Sequence, residues 1–253
     1  MSSHHPVVQF WLTDAERNSS EQFKQLFQKI CDILEKGGAP PGDLTRKAAK
    51  IIESRRVELA QKMHVSINMK LERLLGFITS GRLQPSAPDN QYDRLFRDNT
   101  EKCLNGGTHH VPIYGGLNID SPEGAAPSFG RHVWVRLKND SIRHCVTFTA
   151  RDSYAIVLPF LSRYDPTERR KSVRREVYTW TTVLNFALNN FWGTKDAGVQ
   201  NYVEAQVWDN VELQHIESIH LHRRIELEAG SRMASLPASP NIAYARSKIV
   251  VFD

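Results

Sequence analysis

Three short segments carry residue types able to do chemistry. The first is Tyr202–Trp208, YVEAQVW. Strand geometry sends alternate side chains to opposite faces, so Val203, Ala205 and Val207 share one face. Tyr202, Glu204, Gln206 and Trp208 share the other. That second face sets a carboxylate and an amide between two aromatic rings, a surface able to stack a planar ring and bind a sugar hydroxyl. Its plain alternative is a solvated strand face. The second segment is TFTARDSY, Thr147–Tyr154, where Thr147, Thr149, Asp152 and Ser153 fall within seven residues. Such groups also serve simply to satisfy a turn. The third is GGTHHVPIYGGLN, Gly106–Asn118, whose glycines permit close backbone approach beside His110 and Tyr114.

Other chemistries find less support. There is no GxGxxG, no GxxxxGK[ST] and no GxSxG, so the Rossmann, P-loop and nucleophile-elbow signatures do not apply. His220 and His222 would share a strand face near His215, but no Cys or carboxylate constellation completes a metal site, and no metal is expected. The three cysteines, Cys31, Cys103 and Cys145, have no CxxC spacing and read as reduced thiols. A net charge of +5 gathers largely in Arg169, Arg170, Lys171, Arg174 and Arg175, with a smaller group at Arg46, Lys47 and Lys50. Such a run reads first as a solvated helix face and second as a site for an anionic partner. No apolar run reaches membrane-spanning length. The start, MSSHHPVVQFW, lacks the basic and apolar regions of a cleavable signal peptide.

The elements that must position these residues divide at SGRLQPSAPDN, Ser80–Asn90. Before it, three helical patterns are expected. One carries Phe23, Leu26, Phe27, Ile30 and Leu34. The next is capped by Asp43 and carries Leu44, Ala48, Ile51, Ile52, Leu59 and Met63. The third carries Ile67, Leu71, Leu74, Leu75 and Ile78. Residues 1–85 thus read as a helical region suited to substrate targeting or to bracing, and 86–253 as the catalytic domain. Strands are expected over His132–Leu137, Cys145–Thr149, Ala155–Leu158, Tyr202–Trp208, Ile216–His222 and Lys248–Phe252. One long helix is expected from Asp165-Pro166-Thr167-Glu168 onward, with the stripe Val173, Val177, Trp180, Leu184, Leu188 and Phe191. The fold class is α+β.

Taken in order, YDRLFRDNT (Tyr92–Thr100), GG, PIYGGLN, GAAPSFG, FTARDS and NYVEAQV resemble the CteC-like branch of the PARP-like mono-ADP-ribosyltransferases, a bacterial family with secreted effectors among its members. The resemblance spans about Tyr92 to His222. It implies an ADP-ribosyltransferase-like core of short antiparallel strands with helices, and NAD as co-substrate. The implied catalytic residues are Glu204 and Asp152, with either able to be the base. The implied NAD-binding residues are His110, Tyr114, Gly115, Thr149, Ser153, Tyr154 and Gln206, with Tyr114 or Tyr154 stacking on nicotinamide. Many relatives carry an arginine where this chain has Val111, a departure that brings the site nearer to the histidine-type subclass. The implied acceptor is a threonine hydroxyl of host ubiquitin, whose modification blocks ubiquitination. The resemblance also implies delivery by a bacterium into the host cytoplasm. A monomer without nucleic-acid or membrane partners is expected. Two alternatives are a non-enzymatic binding module on this fold and an NAD glycohydrolase.

Overall fold

A computed structural model describes residues 3–85, 91–106, 108–119, 121–153, 155–157, 166–191 and 203–253. The chain opens with α1 (Pro6–Lys36) and α2 (Pro41–Lys62), the helical start expected from the apolar spacing. Pro40 and Pro41 set the turn between them, so Asp43 lies inside the first turn of α2 rather than at its cap. There it pairs with Arg46 and Lys47. The third apolar pattern splits in two. Ile67 belongs to β1 (His64–Asn68), and the helix proper is α3 (Leu71–Ser80). Gly81 ends α3 in the left-handed conformation, at φ 75°.

After α3 come β2 (Arg82–Leu83), α4 (Gln91–Leu104), β3 (Ile113–Asn118), β4 (Val133–Leu137), α5 (Asn139–Ile142) and β5 (Val146–Thr149). The single long helix expected next is three elements: α6 (Pro166–Arg174), β6 (Val177–Thr179) and α7 (Val183–Phe191). Val177 satisfies a helical stripe and a strand equally well, and pairing of β6 with β5 decides for strand. The proposed cap Asp165 lies outside the described residues. Residues 155–157, expected in a strand, are helical, while Leu158 lies outside the described residues. The chain finishes with β7 (Glu204–Val207), β8 (Val211–Glu212), β9 (Ile216–His222), α8 (Arg223–Ala234), α9 (Pro240–Arg246) and β10 (Ile249–Phe252).

The fold is α+β, with a mostly antiparallel sheet. Among the described residues eight strands run in the order β10-β9-β4-β1-β3-β7-β5-β6, and only β10 and β9 pair in parallel. β2 and β8 form a separate short ladder. β1 comes from the first 85 residues yet lies inside the sheet, between β4 and β3. A cut after residue 85 would therefore remove an interior strand rather than follow a structural seam.

Register sorts the sheet into two faces. One ladder runs through Ile249, Ile219, Val135 and Ile67, and through Gly115, Ala205, Phe148 and Tyr178. This apolar face is buried with Leu26 and Ile30 of α1, Ile52 of α2, Leu74 and Phe77 of α3, and Leu188 of α7. The next ladder over is polar: Ser218, Arg136, Ser66, Gly116, Glu204 and Thr149. Toward one end of that polar face lies a second core of Val7, Val8 and Trp11 from α1, Leu104 from α4, Ile156, Val157, Val173 and Trp208. The first helix therefore enters both cores, its start in one and its later turns in the other.

Candidate active site

Glu204 is the central group. It opens β7, on the polar ladder between Gly116 and Thr149, and is only 6% exposed. Its Oε1 accepts hydrogen bonds from Gln206 Nε2 at 2.7 Å and from the backbone N–H of Ser153 at 3.3 Å. Gln206 is fully buried, and its position is fixed in turn. Its Nε2 also donates to Thr149 Oγ1 at 3.0 Å, and its Oε1 accepts from Thr147 Oγ1 at 3.0 Å. Thr147 Oγ1 accepts from the Trp208 indole at 2.8 Å, and Thr149 Oγ1 donates to the Arg151 carbonyl at 2.8 Å. Thr149 and Gln206, expected to bind cofactor, thus have their polar groups engaged in a network that holds the Glu204 carboxylate. A satisfied network of this kind leaves the acid a single orientation.

Asp152 follows the end of β5 and precedes the helical residues 153 and 155–157. Its carbonyl accepts from Ile156 N–H at 3.2 Å, which fixes that turn. The Arg151–Glu176 bidentate pair, at 3.0 and 2.8 Å, ties the turn to the residue preceding β6. Burial pushes the Glu204 carboxyl up to about 7, and the nearby charge of Asp152 adds to the rise, against hydrogen bonds from Ser153 and Gln206. Glu204 and Asp152 therefore lie near enough for the charge of one to act on the other.

Tyr114 stands opposite Gln206 on β3, one ladder step from Glu204. Its hydroxyl is held well above the usual phenol range by burial, and further by Glu204, Glu101 and Asp152, with Arg97 opposing. Glu101 and Arg97 lie one turn apart on α4 and were not singled out from the sequence. Glu101 is 7% exposed, and burial pushes its carboxyl up to about 7. The Arg97 guanidinium lies 5.7 Å from the Tyr114 ring centroid. A guanidinium does reach this tyrosine, then, but from a helix rather than from the position of Val111, which is 49% exposed. The spacing of Arg97 and Glu101 places them on one helix face, and that was the available signal.

The remaining expected residues are placed differently. The His110 ring meets His5 edge-on, with centroids 4.5 Å apart, near the charges of His144 and Asp209. That cluster adjoins the far end of β7, where Trp208 N–H donates to the Cys145 carbonyl. Gly115 sits on the apolar ladder, where an added Cβ would come 2.7 Å from the Ser66 carbonyl oxygen. Gly116 is the glycine on the Glu204 ladder. Ser153 is buried against Glu204. Tyr154 and Tyr202 lie outside the described residues.

The loop after β3 crosses the neighbouring part of the polar face and is pinned there. Asn68 Nδ2 donates to the carbonyls of Glu123 (2.6 Å) and Gly130 (3.0 Å), and its Oδ1 accepts from Ala126 N–H (3.0 Å). Ser66 Oγ accepts from Ala125 N–H, and the Trp134 indole donates to the Pro122 carbonyl. Gly124, at φ 81°, fits because a Cβ there would run into the Asn68 side chain. Further along the face Trp134 stacks on His220 at 3.5 Å. Burial pushes that imidazole down to about 4. Among the described residues no cluster of three or more His, Cys, Asp or Glu is arranged to hold a metal ion.

No family model matches the chain, and no curated protein matches it. Among solved structures it is similar to Thermus sp. 2.9 DarT in complex with NAD+, at 12% identity and a TM-score of 0.39, over 76% of this chain and 95% of that one. It is likewise similar to Thermus sp. 2.9 DarT in complex with ADP-ribosylated ssDNA, at 11% identity and a TM-score of 0.36, over 76% of this chain and 94% of that one. At these values no residue of one chain is placed on a residue of the other.

Proposed function

We propose that this chain cleaves the bond between nicotinamide and ribose in NAD and transfers ADP-ribose to a hydroxyl acceptor. The observation that carries the reading is the meeting of Glu204, Asp152 and Tyr114 on one polar face, with Glu204 locked by Gln206 and Ser153. Breaking that bond leaves positive charge on the ribose ring. A preoriented carboxylate opposes this charge more in the transition state than in the ground state. Glu204 is that carboxylate, accepting a hydrogen bond from a ribose hydroxyl. Asp152 adds negative potential beside it, and the Tyr114 ring offers a flat surface for the nicotinamide.

The finer reading follows the family resemblance. The acceptor is a threonine hydroxyl of host ubiquitin, the consequence is blocked ubiquitination, and the site of action is a host cytoplasm reached by secretion. Mass spectrometry of ubiquitin incubated with the protein and NAD tests it. A gain of one ADP-ribose on a threonine supports the reading. Release of nicotinamide with ubiquitin unmodified removes ubiquitin and leaves NAD cleavage standing. A parallel incubation with single-stranded DNA covers the anionic partner that the exposed Arg170, Lys171, Arg174 and Arg175 would suit. Absence of nicotinamide release under all conditions overturns the enzymatic reading in favour of a binding module.

A further inference from the structure

The side-chain amide of Gln206 has two chemically opposite ends, an N–H pair and a carbonyl oxygen, on nearly the same outline. Which end meets Glu204 decides what the acid can be. An N–H donates and favours the carboxylate, whereas a carbonyl accepts and favours the protonated acid. Here Nε2 donates to Glu204 Oε1 at 2.7 Å and to Thr149 Oγ1 at 3.0 Å, while Oε1 faces Thr147 Oγ1 at 3.0 Å. Gln206, Thr147 and Thr149 are fully buried, so the choice falls to the groups packed around them.

Two groups of fixed polarity set the direction. The Trp208 indole can only donate, and it lies 2.8 Å from Thr147 Oγ1. Thr147 therefore accepts there and gives its own proton to Gln206 Oε1. At the other end the Arg151 carbonyl can only accept, and it lies 2.8 Å from Thr149 Oγ1. Thr149 gives its proton to that carbonyl and accepts from Gln206 Nε2. Both threonines thus require the same orientation of the amide, the one that turns Nε2 to Glu204. A reversed amide would set its carbonyl against the oxygens of Thr149 and Glu204. It would also leave the Thr147 proton without an acceptor among the described residues. Trp208 is itself held from behind: it is 2% exposed in the second core with Trp11 and Leu104, and its backbone N–H donates to the Cys145 carbonyl at 2.8 Å.

We propose that Trp208 and Thr147 are positioning residues that keep the Gln206 amide turned with its N–H toward Glu204, and so keep the acid charged for the reaction. The part concerning the reaction rests on NAD cleavage at this site; the part concerning the acid does not. Neither residue touches the reacting atoms. Each acts through the next, from indole to hydroxyl to amide to carboxylate.

Thr147→Val tests this, because it removes the hydroxyl and keeps the shape. The amide is then free to turn, and its carbonyl accepts from the protonated acid. The Glu204 carboxyl is followed by carboxyl-carbon NMR of glutamate-labelled protein, with Glu204→Gln identifying its signal. From a wild-type midpoint of about 7, titration in Thr147→Val is expected to rise by about 1–2 pH units, the size of one hydrogen bond to a charged group. Trp208→Phe should move it the same way by less. Thr147→Ser restores the hydroxyl and should titrate as the wild type. Nicotinamide release at pH 7 should fall by about 5–50-fold in Thr147→Val, the loss of ionised acid which that rise entails, and the gap should narrow as pH rises. Thr147→Ala carries the same test if the valine variant fails to fold. An unmoved midpoint in the folded variant, or a moved one in Thr147→Ser, overturns the positioning role while the NAD reading stands. An unmoved midpoint in folded Trp208→Phe overturns the indole's part. A moved midpoint in a protein whose wild type releases no nicotinamide keeps the positioning role and overturns the NAD reading.

Discussion

At the scale of single residues, Glu204 combines burial with an adjacent acid, and both raise its proton affinity. A carboxyl raised to about 7 from an ordinary value near 4.5 stabilises the fold fully below about pH 4.5, and that contribution is lost as pH rises through about 7. Glu204→Gln removes the group that must charge. The stability of this variant relative to wild type is expected to improve by about 3 kcal/mol between pH 4 and pH 8, read from urea unfolding at each pH. A flat difference across that range would contradict the burial-driven shift. The same residue is expected to set activity. Glu204→Gln should lower nicotinamide release by about 10²–10³-fold. Wild-type release should climb with pH through about 7 as the carboxylate forms. Gln206→Ala is a milder test, since it removes the 2.7 Å donor while leaving the acid in place. It is expected to cost activity and to raise the Glu204 carboxyl further, seen as an acidic limb moved to higher pH. The alternation of YVEAQVW made Glu204 and Gln206 legible in the sequence as partners on one face. Glu101 was not legible, because an acid on a helix looks solvated until the folded chain is seen to bury it.

At the scale of elements, legibility followed pairing. β4, β5, β7 and β9 alternate cleanly, and their sequence signals fall on the observed strands. β3 reads as part of a Gly-rich loop, but it becomes a strand through β1 and β7 on either side. Likewise β6 hides within a helical stripe until β5 recruits it. Such overrides come from tertiary contacts that no local window contains. The loop from Ile119 to Arg131 shows the converse. Its sequence is rich in Gly and Pro, yet Asn68 grips three of its backbone groups. Asn68→Ala is expected to leave those buried groups unpaired and to cost about 1–3 kcal/mol. Amide exchange across 121–131 should quicken more than exchange in β4. Unchanged protection in that loop would mean that the side chain does not hold it.

At the scale of the whole molecule, the composition and the helical start were readable, but the division at residue 85 was not structural. A Pro- and Ser-rich stretch marks a break in local pattern and says nothing of where the preceding strand pairs. β1 lies between β3 and β4, so removing residues 1–85 is expected to abolish folding, seen as loss of the cooperative thermal transition. A folded, melting fragment 86–253 would show that the sheet closes without β1. Among the described residues no helix is long and apolar enough to cross a membrane.

The first helix has a thermodynamic consequence. Trp11 near its start and Leu26 and Ile30 further along are all buried, on opposite sides of the sheet. A rigid rod of 31 residues, about 1.5 Å per residue, couples the two interiors mechanically. Neither can open without dragging the rod from the other, so the molecule should melt as one calorimetric unit. Its van't Hoff and calorimetric enthalpies should then agree. Trp11→Ala is expected to lower that single transition by about 3–5 kcal/mol rather than to split it in two. Two resolved heat-absorption peaks would show that the rod bends, and that the acidic face can loosen while the rest of the sheet stays intact.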